Sequence, residues 1–376
     1  MKELLFILDY YAPHRGGIET VFENIILRLL QKGYRITLIT SHFDKKLKEQ
    51  EQRENLTIYR VGKGRKEFFF QSFWKGIEIL KTNKNIEVIH SSTYTSALPA
   101  SILGMIFKKK RILTVHEIFW ELRKEFKPRY SCWIYQLFEW LSFIFPHEIY
   151  HCVSLYTLNS LRIHCGIRDE RLQLIYNGVD GDFWDKEKVK EKDIMKWKKR
   201  YWWEDKYLML YYGHSGITKG IDALVDALPE ILKQNLDGIL IFNLIDAKRD
   251  KEIRKRILQQ AKRSWSPERI VLFDGWEKEE LRELIACVDV ILAPSLAEGF
   301  GSVHSEACAM DKPLITTQVA AIPEVVSGKI IFIQPRNSEE IVHALTQVRE
   351  GIVKEIPKKV FNRKTSVEQI EQLYLK

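Results

Sequence analysis

Residues 293–310 read Ala293-Pro-Ser-Leu-Ala-Glu298-Gly-Phe-Gly301-Ser-Val-His-Ser-Glu306-Ala-Cys-Ala-Met310. The apolar run Asp289–Ala293 reads as a strand that stops at Pro294. Two glycines then shape a turn, and an apolar helix follows. Strand, glycine turn and helix form the repeating unit of a parallel α/β sheet, whose ligands bind beyond the carboxyl ends of the strands. The turn Gly299-Phe300-Gly301 opens a helix N-terminus, where backbone amides suit phosphate or sugar oxygens, and Ser302 is the expected cap. Glu306 sits among Ala307, Cys308, Ala309 and Met310, an apolar setting in which a carboxylate needs a partner. The vicinal hydroxyls of a ribose would supply two donors. Glu298, on the turn, is within reach of a second sugar. The plainer alternative is a surface Glu298 and a salt-bridged Glu306.

The pattern extends outward from this string. Tyr207–Tyr212, Gly238–Phe242, Ile270–Phe273 and Pro313–Thr317 read as strands of the same half, with a helix from Ile221 to about Lys233. Upstream, Glu3–Leu8, Arg35–Thr40, Thr57–Val61, Ile86–His90, Arg111–His116 and Glu148–Val153 give a second strand series, with a helix over Ile18–Leu30. The chain therefore reads as two α/β domains in tandem, and its 376 residues suit that number. The lysine-rich stretch Asp180–Lys206 breaks the pattern between them. Thr365-Ser366-Val367-Glu368 reads as a capping box opening a terminal helix.

Composition narrows the chemistry. Lys+Arg number 59 against 50 Asp+Glu, net +9, which favours anionic partners. The longest nearly apolar stretch, Tyr130–Phe145, is interrupted by Gln136 and Glu139, so no membrane-spanning helix is expected. Met1–Pro13 has too short an apolar core for a signal peptide, and Asp9 breaks it. The five cysteines form no Cys-x-x-Cys pair and read as buried thiols of a cytoplasmic protein. No ligand cluster for a metal is visible.

Further landmarks fall in a fixed order. They are Pro13-His-Arg-Gly16-Gly17-Ile-Glu19, Thr114-Val-His116-Glu117, Tyr176-Asn177-Gly178-Val179-Asp180, Lys219-Gly220 and Val271-Leu-Phe-Asp-Gly275. With Glu298 and Glu306, they resemble the retaining glycosyltransferases of the GT-B fold and family 4 type over nearly the whole chain. The resemblance implies two Rossmann-like domains facing across a cleft: 1–185 for the acceptor and 186–355 for the nucleotide-sugar donor. A terminal helix, 356–376, would pack back on the first domain.

The resemblance also assigns roles. His116, Glu298 and Lys219 would be catalytic, with Lys219 pairing with the donor diphosphate as charge grows on it. Gly16, Gly17, Gly213, His214, Trp276, Gly299, Phe300, Gly301, Ser302 and Glu306 would line the donor site, Trp276 as a wall for the base. His214 stands where the family usually has arginine, and histidine lacks that permanent charge. His90, which ends the preceding strand, is either a cleft-lining or a purely structural residue, and with Tyr94 it is the candidate contact for the acceptor. The expected reaction moves a sugar from a nucleotide-diphosphate sugar to a hydroxyl with retention of configuration. It needs no cofactor and no metal, and its acceptor is a glycan or a lipid-linked group.

Two other classes compete with this reading. One is a catalytically degenerate nucleotide-sugar-binding protein, supported by His214. The other is an oxidoreductase, but no Gly-x-Gly-x-x-Gly follows the first strand. Asp246–Arg263 is basic, yet Ile253, Ile257, Leu258 and Ala261 share one helical face. It reads as a solvated helix on the sheet, and no nucleic-acid motif accompanies it. Tyr130–Phe145, with Lys124, Lys127 and Arg129 before it and Lys108–Arg111 nearby, is a candidate contact with an anionic membrane at the cytoplasmic face.

Overall fold

The structure is a computed structural model. It describes residues 2–375 except 15, 119, 121–131, 134, 135, 138, 141, 144, 246–249 and 265. Part of the Tyr130–Phe145 stretch (130, 131, 134, 135, 138, 141 and 144), Lys124, Lys127 and Arg129, and Lys248 and Arg249 of the basic segment therefore lie outside the described residues. The chain divides into two compact units, Met1–Gly178 with Arg363–Lys376, and Val179–Asn362.

The first unit is an eight-stranded sheet: β1 (Glu3–Leu8), β2 (Arg35–Ser41), β3 (Gln50–Arg53), β4 (Leu56–Val61), β5 (Ile86–Ser92), β6 (Lys110–Val115), β7 (Ile149–Cys152) and β8 (Leu172–Leu174). Their order is β3-β4-β2-β1-β5-β6-β7-β8, parallel except for the β3–β4 hairpin. Its helices are α1 (Gly17–Gln31), α2 (Arg65–Thr82), α3 (Ala97–Phe107) and α4 (Leu155–Cys165). β1 shows why the sheet is covered on both faces. Leu4, Phe6 and Leu8 join a core with Phe22, Ile25 and Ile26 of α1, while Leu5 and Ile7 join another with Phe68 of α2 and Leu103 of α3. Successive strand residues point to opposite faces, so an unbroken apolar run needs two cores. Each fully buried leucine or phenylalanine contributes about 1.5–3 kcal/mol.

The second unit repeats the plan with seven strands: β9 (Tyr207–Gly213), β10 (Gly238–Leu244), β11 (Ile270–Phe273), β12 (Val290–Ala293), β13 (Leu314–Thr317), β14 (Gly328–Ile333) and β15 (Lys354–Ile356). Their order is β11-β10-β9-β12-β13-β14-β15, with only β15 antiparallel. The helices are α5 (Glu191–Tyr201), α6 (Ile221–Gln234), α7 (Lys251–Arg263), α8 (Lys278–Cys287), α9 (Ser302–Ala309), α10 (Ile322–Val325) and α11 (Ser338–Arg349). Here too the central strand alternates: Met209 and Tyr211 face one core, Leu208, Leu210 and Tyr212 the other. In α7 Ile253, Ile257 and Ala261 are buried, but Leu258 is exposed, which corrects its assignment to the apolar face.

The last helix, α12 (Arg363–Leu375), belongs to the first unit. It begins before Thr365, so the expected capping box lies inside the helix, with Ser366 buried. Val367, Ile370, Leu373 and Tyr374 pack into the α1 side of the core. The Tyr374 hydroxyl lies 2.7 Å from His90 Nδ1, His90 Nε2 lies 2.7 Å from Thr114 Oγ1, and Thr114 Oγ1 lies 3.0 Å from His151 Nδ1. His151 Nε2 then meets the Ile175 carbonyl at 2.9 Å. A carbonyl only accepts, so the chain of donors runs one way, from Tyr374 to Ile175, with both imidazoles neutral. Burial lowers both histidines, His151 to about 4 and His90 well below its ordinary value.

Candidate functional site

In both sheets the chain reverses its direction of travel beside the first strand, between β1 and β5 and between β9 and β12. Such a switch point leaves a crevice beyond the carboxyl ends of the two strands. In the second unit the loop after β9 carries His214 to Gly220, and the loop after β12 carries Pro294 to Gly301. The two loops are joined: the amides of Leu296 and Ala297 donate to the Thr218 carbonyl at 2.7 and 3.2 Å. Gly220, at φ +64, makes this possible, since a Cβ there would lie 1.8 Å from the Pro294 carbonyl oxygen.

This junction brings Lys219 to Glu298. Lys219 Nζ donates to Oε1 at 2.8 Å and to Oε2 at 2.9 Å, and Ser295 Oγ donates to Oε1 at 2.8 Å. Glu298 is 7% exposed, and its carbonyl accepts from Ala321 N at 3.2 Å. Burial pushes its carboxyl up, but Lys219, His304 and the Ser295 bond outweigh burial, and the net shift is down. Glu298 is thus an ionised, buried carboxylate.

One turn into α9, Glu306 Oε2 lies 3.3 Å from the Tyr212 hydroxyl, which also donates to the Val303 carbonyl at 3.0 Å. Burial, then Glu306, raises Tyr212 far above its ordinary value, so its hydroxyl keeps its proton. Gly301 precedes α9 with no side-chain cap, and Ser302 is the first helical residue, which corrects its expected capping role. Gly299 and Phe300 are buried, Phe300 edge-on to Phe361 at 5.3 Å. His304 is fully buried, bonded through Nε2 to Thr316 Oγ1 at 2.8 Å. Thr316 in turn donates to the Ala293 carbonyl at 2.8 Å, which ties α9 to β12 and β13.

The remaining donor-side residues are placed as follows. Gly213 ends β9, and the His214 carbonyl accepts from the Tyr211 hydroxyl at 2.8 Å. Trp276 is half-buried against Trp197 and Phe273, with ring centroids at 4.4 and 4.7 Å. Sequence reasoning assigned no role to Ser295, Thr218, Tyr212 or His304. Ser295 and His304 stand inside the string that drew attention, but their partners lie on other strands and loops.

In the first unit, Gly16 and Gly17 open α1 directly after the β1 loop, and His14 Nδ1 lies 2.9 Å from Glu19 Oε1. His116 follows β6, is 6% exposed, and packs edge-on against Phe22 at 5.6 Å. Its Nε2 is buried and has no hydrogen-bond partner among the described residues. Burial, with His151 adding to it, lowers its pKa to about 3, so the ring is neutral. The Tyr94 hydroxyl donates to the Glu117 carbonyl at 2.6 Å and to Glu139 Oε1 at 3.1 Å. His90 is fully buried and both ring nitrogens are bonded to protein, which makes it an internal link between β5, β6 and α12.

Residues 15–183 match Glycosyltransferase Family 4, and residues 206–350 match Glycosyl transferases group 1. Together the matches cover most of the chain and both sheets.

The chain is a family 4 glycosyltransferase of the GT-B fold.

This glycosyltransferase is 22% identical, over 99% of its length and 79% of the relative's, to the phosphatidylinositol N-acetylglucosaminyltransferase GPI3 subunit of Saccharomyces cerevisiae. Its fold is similar to sucrose-phosphate synthase from Thermosynechococcus elongatus, with a TM-score of 0.84 at 18% identity, covering 100% and 98% of the two chains. It is also similar to HepE from Anabaena in complex with UDP and glucose, with a TM-score of 0.75 at 19% identity over 99% of each chain. Among the described residues of the glycosyltransferase, no three His, Cys, Asp or Glu are grouped to hold a metal ion, and no helix is long and apolar enough to cross a membrane.

Proposed function

We propose that the protein transfers a sugar from a nucleotide-diphosphate sugar to a hydroxyl of a glycan or lipid-linked acceptor, with retention of configuration, in cell-surface glycan or glycolipid synthesis. The observation that carries this reading is the Lys219–Glu298 pair at the β9/β12 switch point, beside the N-terminus of α9 and one turn from Glu306. The second unit is then the donor half and the first the acceptor half. A lipid-linked acceptor fits the name of the yeast relative, which specifies phosphatidylinositol, and work at the cytoplasmic face of a membrane is part of the same proposal.

In this reading Lys219 and the amides opening α9 meet the diphosphate, Glu306 meets the ribose hydroxyls, and Glu298 holds the donor sugar. The bond from the anomeric carbon to the diphosphate breaks while the acceptor oxygen bonds to the same face. The acceptor proton passes to the departing phosphate oxygen, so no protein nucleophile is required. Fixed positive charge aimed at the leaving oxygen is worth about 10²–10³ in rate. The neutral His116, with its unsatisfied Nε2, offers a hydrogen bond to a sugar hydroxyl without adding charge.

A thermal-shift screen with UDP-, GDP- and ADP-sugars tests the reading. UDP-glucose and UDP-N-acetylglucosamine come first, because HepE binds UDP and glucose and the yeast relative is an N-acetylglucosaminyltransferase subunit. A donor at about 100 times its Kd stabilises by about 2.7 kcal/mol. Lys219→Ala and Glu306→Ala should abolish the shift, and a shift that survives both overturns the site. Turnover with that donor separates an enzyme from a binding protein, and it should persist in EDTA.

A further inference from the structure

We propose that the outward face of α2 and α3 seats the first unit on an anionic lipid bilayer. Phe70 and Trp74 lie one turn apart on α2 and are 64% and 67% exposed. Lys66 and Lys81 fall on the same stripe at helical spacing, one on either side of the aromatic pair. The buried side of α2 is a different set, Phe68, Ser72, Gly76, Ile79 and Leu80, which faces the sheet and α3. The aromatic pair is therefore surplus to the core. α3 packs closely at Gly76, where a Cβ would lie 2.3 Å from a Leu103 methyl. On α3, Met105 and Ile106 are likewise 49% and 57% exposed, and Lys108 follows.

An exposed apolar patch of this kind marks a partner. Charge identifies which one. From Lys63 to Lys84 the chain carries six basic and two acidic side chains. Both acids are engaged locally, Glu67 with the Lys63 amide at 2.9 Å and Glu78 with Lys75 at 2.7 Å. The surface left around Phe70 and Trp74 is positive. Tryptophan and phenylalanine flanked by lysine suit the boundary between headgroups and acyl chains, with each lysine adding attraction to an anionic leaflet. A second copy of the same face would bring like charges together. The bilayer is the acceptor-side partner of the reaction proposed above, and the inference rests on that reading only for the purpose of docking.

The test is flotation of the full chain with phosphatidylcholine vesicles, with and without about 30% phosphatidylglycerol, at about 0.05 and 0.5 M salt. The protein should float with the anionic vesicles at low salt and less at high salt. Phe70→Ser with Trp74→Ser should reduce bound protein at least about tenfold at low salt. Lys66→Glu with Lys81→Glu should reduce it too and remove the salt dependence. Both variants should keep the wild-type melting temperature and donor-induced shift, since the four side chains lie outside the core and the donor half. Wild-type protein that stays unbound, or an aromatic variant that floats like wild type, overturns the proposal. So does a wild-type dimer that the aromatic substitutions dissolve, because a second copy is then the occupant. Lost flotation with an intact donor shift leaves the donor reading standing, and the converse leaves the lipid reading standing.

Discussion

Lys219 Nζ donates to both carboxylate oxygens of Glu298, 79 residues further along the chain, at 2.8 and 2.9 Å. Glu298 is buried, whereas the Lys219 side chain is 31% exposed. The pair thus holds the β9 and β12 loops together, and its cation still reaches solvent, where a diphosphate would arrive.

Lys219→Met should lower stability by about 1–3 kcal/mol at pH 7, less than a fully buried pair, because water screens the lysine. The sign with pH follows from Glu298. Its folded pKa is lowered, so the stabilisation is present above the unfolded carboxyl value of 4.5 and is lost as pH falls through the folded value. Urea unfolding of the two proteins should converge in acid. A gap that stays constant down to about pH 3 contradicts the pairing.

Tyr212, on β9, reaches across to α9, where its hydroxyl orients Glu306. Tyr212→Phe should weaken a nucleotide-sugar donor by about 3–10-fold, the net worth of one ordinary hydrogen bond, since the contact is long at 3.3 Å. The loss should disappear with a donor lacking ribose hydroxyls, because Glu306 then has nothing to align against. An equal loss with both donors would mean a packing defect instead.

Four histidines of the first unit, His90, His116, His147 and His151, are fully or nearly fully buried and held neutral. Burial lowers His116 and His147 to about 3 and His151 to about 4, against 6.5 when unfolded. The unfolded chain therefore binds more protons below pH 6.5. Stability is complete above that pH and falls on the order of 1 kcal/mol per pH unit for each histidine as pH drops toward 4. Hydrogen exchange should show the first unit opening before the second. Unchanged stability from pH 7 to 5 is the outcome that defeats this.

Tyr374→Phe removes the first donor of the chain through His90, Thr114 and His151. It should cost about 1–3 kcal/mol, since His90 Nδ1 is left buried without a donor. The loss should appear in denaturant unfolding of the first unit and leave any donor-induced shift intact. A variant as stable as wild type would show that the tyrosine packs without bonding.

Most of the strands were legible because a sheet covered on both faces requires unbroken apolar runs, although Leu172–Leu174 and Gly328–Ile333 were passed over. Glu3–Leu8 and Ile270–Phe273 fall where the residues place them. Gln50–Arg53 and Lys354–Ile356 were not legible. They are short, polar, antiparallel edge strands, formed by pairing with Leu56–Val61 and Gly328–Ile333 and not by any pattern of their own. Ser302 failed as a cap because α9 begins at that residue, after Gly301. His90 looked like a ligand-edge residue because it ends an apolar run. Its strand continues to Ser92, and Tyr374, 284 residues away, occupies its ring.

The residues alone determined the α/β architecture, because periodicity and glycine turns are local properties of a chain, and the family resemblance they carry singled out Glu298, Glu306 and Lys219 as candidates. Only the tertiary structure decided that Lys219 pairs with Glu298, that Tyr212 holds Glu306, and that His116 is neutral. Those facts depend on distances between strands brought together by folding, and on burial that no single segment possesses by itself.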